Sequence, residues 1–317
     1  MGGHFRGPGA IGGRRAFLQA AGLAALGLVN GTGGRAAPPA ASERGKPTQF
    51  QIACMTLPYS GLPLQRALTG IRSAGFAFVA WGTSHLEADG RKVPVLAGDA
   101  PPAAAKELAQ RCRDMGLEPV MLFGPSPEDV EGLTRRIQQA GAGGVSQVLT
   151  MGSTRGNDVK LWVKNLKQLA PIARDHKVRI VIKQHGGNTG TGVACAAITR
   201  EVGDDAIKVS YDAGNVMDYQ KIDPIPDLQK CADQVYSFCI KDHRTFPKDQ
   251  DCGPGLGEID HYRLLAPVAF TGRTMPLCCE NIFAPVVARP SRAEGIDALA
   301  RRAREFLELV IQGIQAA

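Results

Sequence analysis

The sequence predicts a single-domain α/β protein built as a (β/α)8 barrel, and two observations carry this prediction. From Thr48 onward, short apolar runs alternate with amphipathic segments at a steady rhythm, which is typical of repeated βα units. Several apolar runs in the second half also end on ionisable residues, and the strand ends of a closed parallel barrel converge on one mouth. A doubly wound open sheet is the competing architecture.

Each predicted strand is a continuous apolar run, as expected for parallel strands buried on both faces. The predicted strands span residues 50–54, 78–81, 119–123, 146–151, 179–183, 208–212, 236–241 and 276–280. The predicted helices span residues 64–74, 103–115, 127–140, 160–176, 193–202, 226–232, 262–269 and 291–312. Eight of each closes a barrel. Two long connections, 85–103 and 242–261, follow strands two and seven, so we expect both to lie over the mouth as a cover for the substrate.

Length and composition fit one full-sized domain. The chain has 317 residues, of which 44% are hydrophobic and 21% charged, and a single α/β barrel needs roughly 250 residues. The formal net charge is +7, but four of the 37 basic residues lie in positions 1–42, where no acidic residue occurs; this leaves 33 basic against 30 acidic residues. Such a small excess does not indicate a nucleic-acid partner.

Residues 1–41 have the pattern of an export signal with a linker, and the barrel is expected over residues 48–317. Arg14 and Arg15 precede an apolar stretch at 20–29, which is followed by small residues and prolines. This resembles a twin-arginine (Tat) signal, read by the Tat export machinery and removed. The stretch is too short for the ~20 residues that span a bilayer. We therefore expect a periplasmic or otherwise exported protein without stable membrane insertion after cleavage; an uncleaved anchor is the alternative.

The eight cysteines do not form a recognisable disulfide or zinc pattern. Seven fall inside predicted strands or helices, where a free thiol commonly acts as a small buried hydrophobe. The exception is Cys252, which lies in a Gly/Pro loop near the predicted mouth. It is therefore the candidate for a reactive thiol.

The order of residues at the strand ends resembles the xylose isomerase-like TIM barrels over about residues 50–306. That superfamily includes sugar isomerases and epimerases, inosose dehydratases and endonuclease IV. The most distinctive part of the resemblance is a Lys-Asp pair that is followed by a Gly-x-Gly-x-Ile-Asp segment. The matching segments are Lys183-Gln184-His185-Gly186-Gly187, Asp212-Ala213-Gly214-Asn215, Cys239-Ile240-Lys241-Asp242, Gly255-Leu256-Gly257-Glu258-Ile259-Asp260 and Glu280-Asn281.

The resemblance implies a divalent metal held by Glu, Asp, His and Glu at the ends of strands five to eight, but this chain departs from that set. Asp212 and Glu280 match, whereas Lys183 replaces the first Glu and Cys239 replaces the His. One interpretation is that the Lys183 ammonium replaces the metal as the charge that stabilises an enediolate. The alternative is an inert buried ion pair left by a lost metal site.

A metal site of different composition is a third interpretation. Mn, Mg or Zn could bind through His185, Asp212 and Glu280, with Asp249 or Asp251 from the long loop. No βα turn carries a strand-linked G-x-G-x-x-G, so no nucleotide cofactor and no oxidoreductase function are expected.

Lys183, His185 and Lys241 are the catalytic candidates. His185 follows Lys183 by two residues, which on a strand would place both on one side, and an imidazole exchanges protons near neutral pH. A supporting hydrogen-bonding role is the alternative for His185. By the same alternation, Lys241 and His243 would share one side and Asp242 the other. Lys241 would hold a substrate oxygen, or else belong to a salt-bridged rim.

Four further residues are predicted to contact the substrate. Asn215 would bind a sugar hydroxyl or cap the next helix, and His243 would sit in the cover loop. Trp81 and His85 follow strand two, where Trp81 could stack on a sugar face or simply be part of the core, and His85 could assist proton transfer.

Together these features predict an isomerase or epimerase acting on a small-molecule carbohydrate or cyclitol by abstracting a proton next to a carbonyl. A lyase or dehydratase on the same class of substrate, for instance one that eliminates from a 3-keto-glycoside, is the first alternative. A non-catalytic sugar-binding barrel with a decayed metal site is the second.

Overall fold

The computed structural model describes residues 45–152 and 158–316. Within them, the strands are β1 (Gln49–Met55), β2 (Phe78–Trp81), β3 (Ser84–Leu86), β4 (Lys92–Pro94), β5 (Glu118–Phe123), β6 (Gln147–Thr150), β7 (Arg179–Lys183), β8 (Ile207–Tyr211), β9 (Val235–Ile240), β10 (Asp242–Arg244), β11 (Gln250–Cys252) and β12 (Thr274–Cys279). The helices are α1 (Leu64–Ser73), α2 (Pro102–Asp114), α3 (Val130–Gly143), α4 (Val159–Asp175), α5 (Gly192–Val202), α6 (Ala213–Gln220), α7 (Pro224–Gln229), α8 (His261–Leu265) and α9 (Ala293–Ala316).

Eight of these strands close into a barrel in the order β1, β12, β9, β8, β7, β6, β5, β2, and every neighbouring pair is parallel. The predicted (β/α)8 architecture is therefore confirmed, and the open-sheet alternative is wrong. The predicted export segment, residues 1–41, lies outside the described residues. None of the helices that the structure describes is long and apolar enough to cross a membrane.

Alternation along the strands separates two layers of core. A small cluster fills the barrel interior and includes Met55, Met121, Val181, Cys239 and Cys278. A much larger cluster lies between the strands and the surrounding helices, and it holds residues of the opposite parity such as Ile180, Ile182 and Phe238. Since successive side chains of a strand point to opposite faces, a residue two positions beyond an interior one also points toward the barrel axis.

The two long connections each contain an antiparallel hairpin, which the sequence did not predict. β3 pairs with β4, and β10 pairs with β11. The structure also adds α6 directly after β8, and it ends α7 before Cys231, which was predicted to be helical. All eight cysteines are free and buried. The predicted reactivity of Cys252 is not supported, because the thiol is buried on β11 and burial raises its pKa to about 12.

Candidate functional site

A buried ion cluster occupies the carboxyl ends of β7, β8, β9 and β12. Lys183 is the last residue of β7 and continues the interior parity of Val181. Its Nζ lies 2.5 Å from Glu280 Oε1 and 3.1 Å from Asp212 Oδ2. Lys183 thus joins the two carboxylates that the sequence placed at the ends of strands six and eight.

Lys241 supplies a second ammonium to the same carboxylates. Its Nζ lies 3.3 Å from Glu280 Oε2 and 3.5 Å from Asp212 Oδ2, and it donates a hydrogen bond of 2.5 Å to Asn215 Oδ1. Gly214 leaves room for the stem of Lys241, because a Cβ there would lie only 2.6 Å from Lys241 Cγ. The helix that follows β8 therefore needs a glycine at this position.

The cluster brings two lysines and two carboxyl groups together in a site nearly closed to water. Burial opposes the charged form of both lysines, but Asp212 and Glu280 outweigh it and raise the pKa of Lys183 and of Lys241 above the usual range. Burial also works against an ionised Glu280, yet the two ammonium groups lower the pKa of that carboxyl to about 2. Both lysines and Glu280 are therefore charged at neutral pH.

The pKa of Asp212 is raised, in contrast to that of Glu280, although both carboxyl groups contact the same lysines. Its side chain is completely buried, and burial raises its pKa despite the nearby Lys241 and Lys183. It also caps α6, since Oδ1 accepts a hydrogen bond of 2.9 Å from the Asn215 backbone N–H. Asp212 thus contacts the two lysines through Oδ2 and caps α6 through Oδ1.

Gln184 is a site residue that the sequence analysis missed. It is fully buried, its Oε1 accepts a hydrogen bond of 2.6 Å from the Asp212 backbone N–H, and its carbonyl accepts one from Asn215 Nδ2 at 2.6 Å. Both polar groups of the Asn215 side chain are consequently used inside the protein, by Gln184 and Lys241. The prediction that Asn215 binds a sugar hydroxyl is not supported.

The Lys-Asp and Gly-x-Gly segments are physically connected through Asp242. Its carboxylate accepts four backbone N–H groups, from His243 at 2.8 Å, Gly255 at 2.9 Å, Gly257 at 3.0 Å and Ile259 at 3.0 Å. Gly257 is required by close approach, because a Cβ there would lie 2.3 Å from Asp242 Oδ1. Asp242 therefore anchors the loop after β11 and faces away from the ion cluster.

Asp251 connects the ion cluster to the hairpin that β10 and β11 form. Its Oδ2 lies 3.1 Å from Lys241 Nζ, and its Oδ1 lies 2.9 Å from His243 Nδ1. Lys241 and His243 therefore share one side of the chain and Asp242 the other, which confirms the predicted alternation. His243 lies on β10 within the long 242–261 connection, and its side chain is completely buried.

A cavity of about 220 Å³ opens directly onto the cluster. Lys241, Asp251 and Glu280 form its charged wall, and Arg289 stacks over the Phe283 ring at 4.3 Å on another side. A larger cavity of about 330 Å³ lies beyond the ends of β2 and β5, but its lining contains no residue of the ion cluster. Pockets with convergent polar groups are the usual binding sites, so we take the smaller cavity as the candidate active site.

His185 does not share a side with Lys183, because β7 ends at Lys183 and the alternation stops there. Its side chain is exposed and lies against the Tyr219 ring, with centroids 5.5 Å apart. The ion contacts of Asp212 and Glu280 are with Lys183 and Lys241 instead. The structure therefore offers no support for His185 as general base or as a metal ligand with those carboxylates.

Trp81 and His85, the two residues at strand two that were predicted to contact the substrate, are both buried. Trp81 is 1% exposed and packs in the core between the barrel and the helices, and it also lines the cavity of about 330 Å³ beyond the ends of β2 and β5. His85 is equally buried on β3, and its Nδ1 lies 2.8 Å from the Leu62 carbonyl oxygen. Burial lowers the pKa of His85, and its contact with the Leu62 carbonyl anchors the first hairpin.

Comparison with known proteins agrees with this architecture. Residues 68–308 match the family described as xylose isomerase-like TIM barrel. The chain belongs to this family. None of the curated proteins is similar enough to match the chain.

Several solved structures share the fold. An L-ribulose 3-epimerase superposes with a TM-score of 0.65 at 17% identity, over 84% of this chain and 96% of that chain. A xylose isomerase-like TIM barrel protein from Mycobacterium smegmatis, in complex with magnesium, gives 0.64 at 14% identity over 85% and 98%. A probable 3-DHS dehydratase, AsbF, from Bacillus anthracis gives 0.59 at 11% identity over 81% and 98%. Identities this low establish a common barrel and nothing finer.

The metal position that the family resemblance implies does not fit a divalent ion in this chain. The Lys183 ammonium lies within ion-pair distance of both remaining carboxylates, Asp212 and Glu280, and repels a second cation from that place. Cys239 is buried in the barrel interior, where burial raises the pKa of its thiol and opposes the thiolate that a metal would need. The two lysines therefore hold the charge that neutralises these carboxylates.

Proposed function

We propose that this chain is an enzyme of the isomerase or epimerase type that acts on a small carbohydrate or cyclitol, without a metal at the family position. The observation that carries the proposal is the position of Lys241. Its ammonium lies between Asp251 and Glu280 on the wall of the 220 Å³ cavity, 3.1 Å from one carboxylate and 3.3 Å from the other. A cation and a carboxylate side by side are what proton abstraction next to a carbonyl requires.

Asp251 is the group that we assign as the base. It lines the cavity, its side chain is 29% exposed, and His243 holds its other oxygen. Glu280 is a poor base, because its pKa of about 2 leaves little affinity for a proton. In the proposed step, the bond between carbon and hydrogen next to the carbonyl breaks, and Asp251 takes the proton.

Lys241 stabilises the charge that this step creates. The electron pair of the broken bond forms a double bond between the two carbons, and the π electrons of the carbonyl move onto its oxygen. The resulting enediolate accepts a hydrogen bond from the Lys241 ammonium. The raised pKa of Lys241 keeps it charged and excludes it as the base. Lys183 is 3% exposed at its side chain, so it acts through Glu280 and Asp212 as a positioning residue.

The fate of the enediolate decides the reaction class. Return of the proton from Asp251 to the former carbonyl carbon gives an isomer, provided that the proton of the neighbouring hydroxyl passes to the former carbonyl oxygen. Protonation of the original carbon on its opposite face, with water as the acid, gives an epimer. A substrate with a leaving group on the next carbon loses it instead, which is lyase chemistry. Isomerase or epimerase chemistry comes first because the L-ribulose 3-epimerase is a structural neighbour, and the AsbF dehydratase keeps elimination as the second candidate.

The test is turnover of a panel of keto-sugars and 3-keto-glycosides by matched variants. Lys241→Met should lose activity by a factor on the order of 100 to 1,000, the range for removal of one oxyanion donor. Lys208→Met is the control, because Lys208 is equally buried and pairs with Asp205 at the start of β8, away from the mouth.

Equal activity of the two lysine variants would refute the assignment of Lys241. Sugar binding by the wild type without turnover of any member of the panel would support the non-catalytic alternative.

A further inference from the structure

His243 separates the ion cluster from a second group of charged residues on the far side of its ring. One ring nitrogen, Nδ1, faces Asp251 in the cavity wall. The other, Nε2, faces Asp249, and Asp218 completes a group in which one potential ligand atom from each residue lies within 4.8 Å of the others. His243 is completely buried, whereas the two aspartates reach the surface.

The contacts of the His243 ring place a carboxylate oxygen at each ring nitrogen. Asp251 Oδ1 lies 2.9 Å from Nδ1, and because a carboxylate only accepts, Nδ1 donates to it. Nε2 is buried and lies 2.9 Å from Asp249 Oδ1. A positive charge between Nε2 and Asp249, either a proton or a bound cation, makes this second contact favourable.

We propose that His243, Asp249 and Asp218 bind one divalent transition-metal ion of the zinc or manganese type. An imidazole whose other nitrogen donates to a carboxylate is the usual arrangement of a metal-binding histidine, with Asp251 as the orienting group here. One imidazole and two carboxylates suit these ions, and three protein ligands leave positions for water or a ligand. The site is separate from the family position at the strand ends and does not depend on the proposed activity.

The geometry needs only a small adjustment of exposed side chains. Donors bound at about 2.1 Å to one ion lie at most roughly 4.2 Å apart, slightly less than the separation in the structure. Asp218 and Asp249 are one-third and one-half exposed, so both can rotate toward His243 without disturbing the core. The buried imidazole provides the fixed ligand.

Lys221 competes for the same carboxylates. Its Nζ lies 2.7 Å from Asp249 Oδ2 and 3.5 Å from Asp218 Oδ1. A bound metal would displace this ammonium, so removing it should strengthen metal binding. Since Lys221 is an exposed residue, we expect Lys221→Met to tighten binding only modestly, by about threefold.

The experiment is calorimetric titration of untagged, chelator-treated protein with Zn²⁺ and, separately, with Mn²⁺. We expect one ion per chain for at least one of the metals. Asp249→Asn and Asp218→Asn should each weaken binding by about tenfold or more, the scale of lost metal-site partners. His176→Gln, which removes an exposed histidine at the end of α4, and Glu280→Gln, which alters the family position, should leave the affinity unchanged.

Each contrary result is decisive because the two aspartates are on the surface and their variants should fold. Absence of saturable binding with either metal would overturn the proposal and would leave a hydrogen bond from His243 Nε2 to Asp249 as the explanation of their short contact. Binding that persists in both aspartate variants would also overturn it. Binding lost in Glu280→Gln would place the metal at the family position, and would contradict the metal-free cluster as well.

Discussion

Acidification should reveal how strongly the ion cluster stabilises the fold. Lys183 and Lys241 lower the pKa of Glu280 from an ordinary 4.5 to about 2. Each pKa unit corresponds to about 1.4 kcal/mol, so the interactions of the ionised carboxylate contribute roughly 3 kcal/mol. Because the folded-state pKa is the lower one, this stabilisation is present above pH 4.5 and is lost as the pH falls toward 2. About 2 kcal/mol of it should be gone by pH 3.

The assay is urea unfolding of the wild type and of Glu280→Gln, each at about pH 6 and pH 3. The wild type should be more stable at pH 6 by roughly 3 kcal/mol, and the difference should shrink by about 2 kcal/mol at pH 3. Asp212 contributes with the opposite sign, because its raised pKa favours protonation in the folded state, but it is present in both proteins. Glu305→Gln is the control, since Glu305 is 55% exposed in a surface pair with Arg304.

A stability difference between the wild type and Glu280→Gln that is independent of pH would refute this reasoning, because an uncharged contact of Glu280 would give that result. The same pH dependence in Glu305→Gln and Glu280→Gln would refute it too, since it would show that the effect is not specific to the cluster.

Three further predictions follow from individual contacts. Lys183→Glu combined with Cys239→His restores the family ligand types beside Asp212, so this double variant should gain a metal site that calorimetry detects. The gain should persist when Asp249 is also replaced by Asn. No gain in metal binding would contradict the view that Lys183 excludes the metal. Asp242→Asn turns an NH₂ group toward two backbone N–H groups and should destabilise the fold by roughly 3 kcal/mol in urea unfolding, whereas a change below about 0.5 kcal/mol would show that the four hydrogen bonds do not hold the loop. The buried thiols, Cys252 included, should not react with a thiol reagent until the protein unfolds, and rapid labelling of the native protein would contradict their burial.

The barrel was predictable because its signal repeats. Parallel strands buried on both faces leave continuous apolar runs in the sequence, and the β7 prediction, Arg179–Lys183, agrees residue for residue with the structure. The short helix α6 and the two hairpins were missed because they lack a long periodic pattern and depend on tertiary contacts. Asp212 caps α6 in the structure, but one Asp does not predict the start of a helix, because capping residues also occur in turns and loops.

The candidate site was predictable in its charged residues and not in its geometry. Lys183, Asp212 and Glu280 stood out because an ionisable residue ending an apolar run is costly without a partner. His185 was misplaced because strand alternation was extended two residues beyond the end of β7 at Lys183, where it no longer holds. Asp251 lies nine residues after Asp242 in a loop, and only the pairing of β10 with β11 brings it to Lys241.

The central claim is that lysine ammonium groups provide the charge that a metal provides at the family position. The most direct test is deuterium incorporation next to the carbonyl of keto-sugars and 3-keto-glycosides, measured by mass spectrometry with chelator-treated protein in D₂O. We predict incorporation without added metal by the wild type and a loss of at least about 100-fold in Lys241→Met. Incorporation that requires added metal, and that survives in Lys241→Met, would contradict the account.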